Sequence, residues 1–349
     1  MVTHAHNHHA PQKTVLDHKE PETRYRLHRR FDRLGRLLGD GAVARLMDQR
    51  VVLFGVGGVG SFAAEALARS AIGKLQVVDF DDVCITNSNR QLQALHGNVG
   101  KPKTWILRDR LRLINPQAQI EAKRAFYNAA RADELLTVPE AWGGGAWDFV
   151  VDAIDNLTAK AHLLSECRRR SIPVISSMGA AGKLDPTQLR IADLADATHC
   201  HLARELRSIL RKKYDFPRTG PMGVQVVFST EERHWPKELS YDNGEGFSCV
   251  CPASSAVPAA AGDDDVKEIR ADFHSCDDKN LIDGTVAYVT GAFGLACASA
   301  VVNTLTARIR EQARPAVAKF PGRAPADEPG AAPAAPAAVD QPPARGEHE

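Results

Sequence analysis

The chain has 349 residues, 44% of them apolar and 25% charged, with a formal net charge of +1. That length holds one large or two small domains with a full hydrophobic core, and the near-zero charge excludes a uniformly basic surface, so any nucleic-acid site has to be a local patch. Seven cysteines, an odd number for so long a chain, fit a reducing compartment better than a disulfide framework.

Residues 1–21 are polar and rich in histidine, and His4, His6, His8 and His9 read as part of a disordered tail rather than as a metal site. The opening "MVTHAHNHHAPQK" lacks the apolar centre of a signal peptide, and no apolar run reaches the roughly 18–20 residues that span a bilayer. A cytoplasmic protein with no membrane partner is expected. Between Arg50 and Ser177 short β-type runs alternate with helical ones. Strands are expected at 50–54, 74–80, 118–126, 147–154 and 172–177, with helices at Ser61–Ala71, Lys103–Asn115, Arg131–Leu136 and Leu157–Arg170. This alternation predicts βαβ units and a doubly wound, Rossmann-like, mostly parallel sheet of the α/β class. Ligands of such sheets bind beyond the carboxyl ends of the strands, so the residues after Phe54, Phe80, Ile154 and Ser177 are expected to line one site.

Beyond Ser177 the pattern predicts an appended C-terminal strand and helix region. A strand is expected within "GKLDPTQLRIADL", a helix at His199–Tyr214, a strand at 223–229 and a long loop over about 230–280. A mostly apolar helix at 283–309 follows, with Gly284, Gly291 and Gly294 allowing close packing in a buried core or at a dimer face. Residues 314–349 are rich in Pro and Ala and cannot form a packed core, which leaves a folded domain of about 22–313 between two tails.

The run "VVLFGVGGVGSF", from Val51, joins a strand to a helix through Gly55, Gly57, Gly58 and Gly60. Glycines let the backbone approach phosphate oxygens, and the following helix N-terminus offers free N–H groups and a positive dipole. Asp79 ends the next strand, placed to accept hydrogen bonds from a ribose. These features alone suit an NAD-dependent dehydrogenase equally well. The segment "DFDDVCITNSNRQ" (79–91) then adds Asp81, Asn87 and Arg90, and "VGKPK" (99–103) adds Lys101 and Lys103. A dinucleotide enzyme has no use for these cations. An enzyme attacking the α-phosphate of ATP needs them, because charge builds on the phosphoryl oxygens and on the departing pyrophosphate. Asp155, in "DAIDN", ends the fourth strand at the same edge and is a carboxylate able to hold Mg²⁺.

The ordered series "GVGGVG", "VDFDDVCITNSNRQ", "GKPK" and "DAIDN" resembles the adenylating domain of the ubiquitin-activating-enzyme-like superfamily, of the ThiF and MoeB type, over about residues 25–195. The resemblance implies that Asp79 binds the ATP ribose, that Asn87, Arg90 and Lys103 contact the phosphates, and that Asp155 serves Mg²⁺ and catalysis. It further implies a homodimer in which an arginine ahead of the first strand, Arg33 or else Arg30, reaches the partner's site.

The carboxylate to be activated is a separate question. Sulfur-carrier activators of this superfamily adenylate a Gly-Gly terminus and typically hold zinc with two Cys-x-x-Cys pairs. This chain has none, since Cys249 and Cys251 are separated by one residue and Cys84, Cys167, Cys200, Cys276 and Cys297 are isolated. Cys84 and Cys200 are the candidates for a catalytic thiol, with packing the stronger reading of each. In "HLARELRSILRKKYDF" (201–216), Arg204, Arg207 and Arg211 fall within about 60° of one another at 100° per residue, opposite Leu202, Leu206, Ile209 and Leu210, with Lys212, Lys213 and Arg218 following. A basic stripe of this kind suits a phosphate backbone. The order of "GKLDPTQLRIADLADATHCHLARELRSIL", "GVQVVFSTE" and "GTVAYVTGAFGLACASAVVN" resembles the tRNA threonylcarbamoyladenosine dehydratase branch. That resemblance implies a tRNA substrate, ATP and Mg²⁺ as cofactors, and a cysteine desulfurase with its sulfur-acceptor protein as partners. A sulfur-carrier adenylyltransferase, a dehydrogenase and a non-catalytic nucleotide sensor remain the alternatives.

Overall fold

Along the first strand, β1 (Arg50–Phe54), Val51 and Leu53 pack to one side and Val52 and Phe54 to the other, and all four are buried. A strand with side chains alternating into two apolar environments needs a helical layer on each face of its sheet. The computed structural model, which describes residues 30–237, 239 and 283–312, supplies both layers. The two tails and most of the 230–280 loop expected from the sequence lie outside the described residues.

Two short helices, α1 (Asp32–Leu38) and α2 (Asp40–Asp48), precede β1 and are joined at Gly39, whose φ is 87°. The chain then alternates: α3 (Gly60–Arg69), β2 (Lys74–Asp79), α4 (Lys103–Ile114), β3 (Gln119–Arg124), α5 (Ala132–Leu135), β4 (Phe149–Asp152), α6 (Leu157–Arg169) and β5 (Val174–Ser177). β6 (Leu189–Asp193), α7 (His201–Lys213), β7 (Gln225–Ser229) and α8 (Ala287–Gln312) complete it. The seven strands run β3-β2-β1-β4-β5-β7-β6, all parallel except β6, which is antiparallel to β7. β1 pairs with β2 on one side and β4 on the other, so the strand order reverses there and leaves a crevice at the carboxyl ends.

Leu53, Leu75, Leu67, Leu107 and Phe293 form the core under α3, α4 and α8, while Val52, Phe54, Val150, Leu163 and Trp147 form the opposite one. A third cluster, with Leu206, Leu210, Val226 and Phe228, seats α7. α8 crosses closely over α3. A side-chain carbon at Gly294 would lie 2.4 Å from the Val59 carbonyl oxygen, and one at Gly291 would touch the Phe62 ring at 3.3 Å. Gly284 departs from the expectation: it precedes the helix and has nothing within 4 Å to crowd. α8 also corrects the expectation that no apolar run is long enough to span a bilayer. Ala287–Arg310 reaches a mean hydropathy of 1.4 over 18 residues, yet 56% of that window is buried inside the fold, where it serves as core.

β1 has the expected bounds, whereas β2, β3, β4, β5 and β7 are shorter than their apolar runs suggest. β4 ends at Asp152 rather than at 154, because Asp152 Oδ1 accepts the Ile154 N–H at 3.0 Å and turns the chain out of the sheet. Ala153, Ile154 and Asp155 thereby leave the sheet at its carboxyl edge.

Candidate active site

The glycine loop is a consequence of close approach. Gly55 has φ 85°, and a side-chain carbon there would lie 2.6 Å from the Ala153 carbonyl oxygen; at Gly60 it would lie 1.7 Å from the Gly55 carbonyl oxygen. No side chain fits at Gly60 without moving the backbone. The loop is fixed from two sides. Asp79 Oδ2 accepts the Val56 N–H at 2.7 Å and Oδ1 accepts the Asp81 N–H at 2.8 Å, while the buried Gln93 Nε2 donates to the Val56 carbonyl at 2.6 Å. Burial, opposed by Lys103 and reinforced by Asp81, pushes the Asp79 carboxyl up to about 6.

Lys103 opens α4 with its side chain buried, donating from Nζ to Asp81 Oδ2 at 2.7 Å, and its backbone N–H donates to the Asp81 carbonyl at 3.0 Å. Burial pulls its ammonium down, but Asp81 and Asp79 together outweigh this and hold it above the ordinary lysine value. Asn87 is buried and closes a single turn of helix at Ile85–Asn87, its Oδ1 accepting the Cys84 N–H at 3.1 Å. That turn carries Arg90 over the glycine loop: a side-chain carbon at Gly58 would sit 3.2 Å from Arg90 Cγ and 3.3 Å from Thr290 Cβ of α8. Arg90 Nη1 donates to the Thr86 carbonyl at 2.9 Å and to Asn89 Oδ1 at 3.0 Å, and burial, opposed by Cys84 and Asp155, lowers its pKa.

Asp155 is exposed at the end of the β4 turn and is close enough to both Arg90 and Lys103 to act on each electrostatically. No hydrogen bond or ion pair among the described residues holds its carboxylate. The four loop glycines, Asp79, Asp81, Asn87, Arg90, Lys103 and Asp155 therefore lie on one edge of the sheet, at the strand-order reversal. Lys101, by contrast, is exposed and contributes its carbonyl to Val83 N–H rather than a side chain to the site.

Arg33 sits elsewhere. It is exposed on α1, with no hydrogen bond or ion pair among the described residues. α1 borders the opposite sheet edge, since Phe31 packs on Ala71 just before β2 and Arg30 donates to the carbonyl of Ile114 at the far end of α4 at 3.0 Å. Neither arginine faces its own chain's glycine loop.

The basic helix also differs from its expected form. Arg204 is 65% exposed and Lys212, Lys213 and Arg218 are exposed. Arg207, however, donates to the carbonyls of Leu194 and Ala197 at 3.0 and 2.7 Å, and Arg211 donates to that of Pro217 at 3.1 Å. Two of the three arginines expected to point outward are spent pinning the segments that flank α7, through hydrogen bonds to their backbone carbonyls. Cys200, at the start of α7, is half-buried, as is Cys84, whose Sγ lies 3.1 Å from Thr86 Oγ1, and Cys167 and Cys297 are buried in the cores; Cys249, Cys251 and Cys276 lie outside the described residues.

Sequence reasoning missed the support beneath the site. Asp152 and Lys160 are fully buried, with Lys160 Nζ donating to Asp152 Oδ2 at 2.7 Å, Ser176 Oγ at 3.2 Å and the Ser177 carbonyl at 3.0 Å. This network ties the ends of β4 and β5 to α6 directly below Asp155. Its only signal in the sequence is a lysine set among Ala159, Ala161, Leu163 and Leu164, on what is otherwise an apolar helix face. Gln93 was likewise hidden, one polar residue in the "NRQLQ" run.

Comparison with known proteins places this geometry. The model of the ThiF family matches residues 31–326. The tRNA threonylcarbamoyladenosine dehydratase of Haemophilus influenzae is 40% identical over 60% of this chain and 78% of its own length, and that of Bacillus subtilis is 40% identical over 66% and 89%. The crystal structure of the Escherichia coli tRNA N6-threonylcarbamoyladenosine dehydratase with ATP superimposes with a TM-score of 0.64 at 32% identity, covering 82% of this chain and 97% of that one.

Proposed function

We propose a function on the premise that the chain belongs to the ThiF family: it is an ATP-dependent tRNA threonylcarbamoyladenosine dehydratase. The observation that carries this reading is the convergence of Arg90, Lys103 and Asp155 on a glycine loop whose Val56 N–H is held by the second-strand aspartate Asp79. The similarity to dehydratases of the same name over most of their length, one of them solved with ATP, supports it.

The chemistry follows from charge. A carboxylate oxygen of the threonylcarbamoyl group attacks the α-phosphorus of ATP, the bond to the bridging oxygen breaks, and pyrophosphate leaves. Arg90 and Lys103 offset the charge that develops on the phosphoryl oxygens, and they are partly or fully desolvated, where such donors act most strongly. An internal nitrogen or oxygen of the substrate then attacks the acyl carbon, AMP leaves, and the ring closes with net loss of one water. The loop and α8 hold the mixed anhydride away from bulk solvent. Asp155 suits Mg²⁺: it is an oxygen donor with no hydrogen-bonding partner among the described residues, and magnesium is commonly held by one or two carboxylates, with phosphates and water completing its shell. When bound, the ion supplies Lewis-acid neutralisation of the phosphates.

Because Arg33 lies on the edge away from its own loop, the site it serves is that of a second copy, and the enzyme works as a homodimer. The tRNA backbone is met by the exposed residues Arg204, Lys212 and Lys213, with Arg207 and Arg211 shaping the surface under them. A cysteine desulfurase and its sulfur acceptor complete the set of partners.

The test is turnover. ATP consumption is expected to require tRNA bearing threonylcarbamoyladenosine, and the modified nucleoside is expected to lose the mass of one water. Turnover with a Gly-Gly-ended carrier protein but not with that tRNA would replace this reading by the sulfur-carrier one.

A further inference from the structure

Of the four tryptophans, Trp142 and Trp147 are buried and Trp105 is half-buried, whereas Trp235 is 70% exposed. A large exposed indole is ordinarily free to move. This one is braced. The Arg233 guanidinium lies over its ring at 4.4 Å from the centroid, and Arg233 is itself ion-paired to Asp283. The backbone below is fixed too. The His234 N–H donates to the Gly182 carbonyl at 2.9 Å and the Gly182 N–H donates to the Gly284 carbonyl at 2.8 Å. The Glu231 carboxylate accepts the Leu184 and Asp185 N–H groups and lies 2.9 Å from His234 Nε2. Gly182 leaves no slack, since a side-chain carbon there would lie 2.9 Å from both Arg233 Cγ and the His234 carbonyl oxygen.

The position of this brace gives it meaning. On one side it leads to the adenylation site: Asp283 is followed by Gly284 and Thr285, and the Thr285 carbonyl accepts from Asn89 Nδ2 at 2.9 Å, next to Arg90. On the other side it reaches α7, because Glu232 pairs with His199 at 3.1 Å just ahead of that helix. The segment that carries Trp235 is thus linked through its neighbours to the loop of Arg90 on one side and to the start of the basic helix on the other. One indole face is covered by a guanidinium, and the other is presented to solvent at low conformational cost.

The geometry points to Trp235 as a stacking platform for an unpaired base of the RNA substrate, adjacent to the nucleoside being activated. An aromatic face takes any base, stacking being tolerant of sequence, and bases of single-stranded loops are splayed onto aromatic or guanidinium planes in this way. The inference rests on the tRNA reading above. Trp235 touches neither ATP nor the reacting atoms and is a positioning residue.

The experiment uses the full chain, an anticodon stem-loop and whole tRNA carrying threonylcarbamoyladenosine. With Trp235→Ala the KM for tRNA is expected to rise roughly 5- to 150-fold, the span of base–aromatic stacking, with kcat at saturating tRNA and ATP affinity unchanged. Trp235→Phe is expected to restore most of the loss. Stem-loop addition is expected to quench tryptophan fluorescence in the wild-type chain and in neither variant. An unchanged KM in Trp235→Ala, or quenching that survives in Trp235→Phe, overturns the platform while leaving the functional reading intact. A parallel loss of ATP affinity in Trp235→Ala overturns it as well, by showing a structural role. A wild-type chain that does not turn over the modified tRNA brings down both.

Discussion

Within the glycine loop two glycines do different work. Gly60 has no room for a side chain, whereas the nearest atom to a carbon added at Gly57 is 3.8 Å away. Gly60→Ala is expected to lower stability by about 1–3 kcal/mol or more, as overpacking against backbone does. Gly57→Ala is expected to leave the unfolding midpoint within a degree or two of wild type and to weaken ATP binding by crowding the phosphates; denaturant titration and calorimetry separate the two. Asp79 gives a pH signature. Its carboxyl is raised from 3.8 to about 6, chiefly by burial, and the native state holds that proton more tightly than the unfolded chain. Its contribution to stability is therefore fully present below about pH 4 and lost as pH rises to about 6. Binding has the opposite sense, because a ribose hydroxyl needs the ionised acceptor. Adenosine affinity is expected to be level above about pH 7 and to fall by up to about tenfold per unit below pH 6, while Asp79→Asn binds weakly with no such slope.

At the scale of the element, α7 separates charge from architecture. Arg204 is exposed and Arg207 holds two carbonyls. Arg204→Ala is expected to change stability by less than about 0.5 kcal/mol and to reduce the salt dependence of tRNA binding by close to one ion. Arg207→Ala is expected to cost about 1.5–3 kcal/mol of stability, the worth of hydrogen bonds to a charged donor, with a smaller change in salt slope. Filter binding across a salt series, paired with urea unfolding, distinguishes them. The helical period identified which residues share this face of α7 but not which of them are drawn to backbone carbonyls, because the carbonyls that capture Arg207 and Arg211 belong to segments 6–13 residues away in the chain.

For the whole molecule, the decisive relation is between Arg33 and the glycine loop, which lie at opposite edges of one sheet. If the arginine completes the site of a second copy, Arg33→Ala and Asp155→Ala chains, each inactive alone, should regain about a quarter to a half of wild-type turnover when mixed, since a mixed dimer contains one intact site. Absence of recovery after verified subunit exchange would mean that Arg33 serves its own chain or no site at all. The sequence by itself determined the layered α/β class, because strand and helix periods are local, and the nucleotide edge, because its residues follow strand ends in chain order. It could not show that Gln93 and the Asp152–Lys160 pair hold that edge in place, nor that α8, with a membrane-like composition, is the core helix packed on α3. Those facts depend on which distant backbone groups are left wanting a partner after the sheet forms, and only the tertiary structure brings them together.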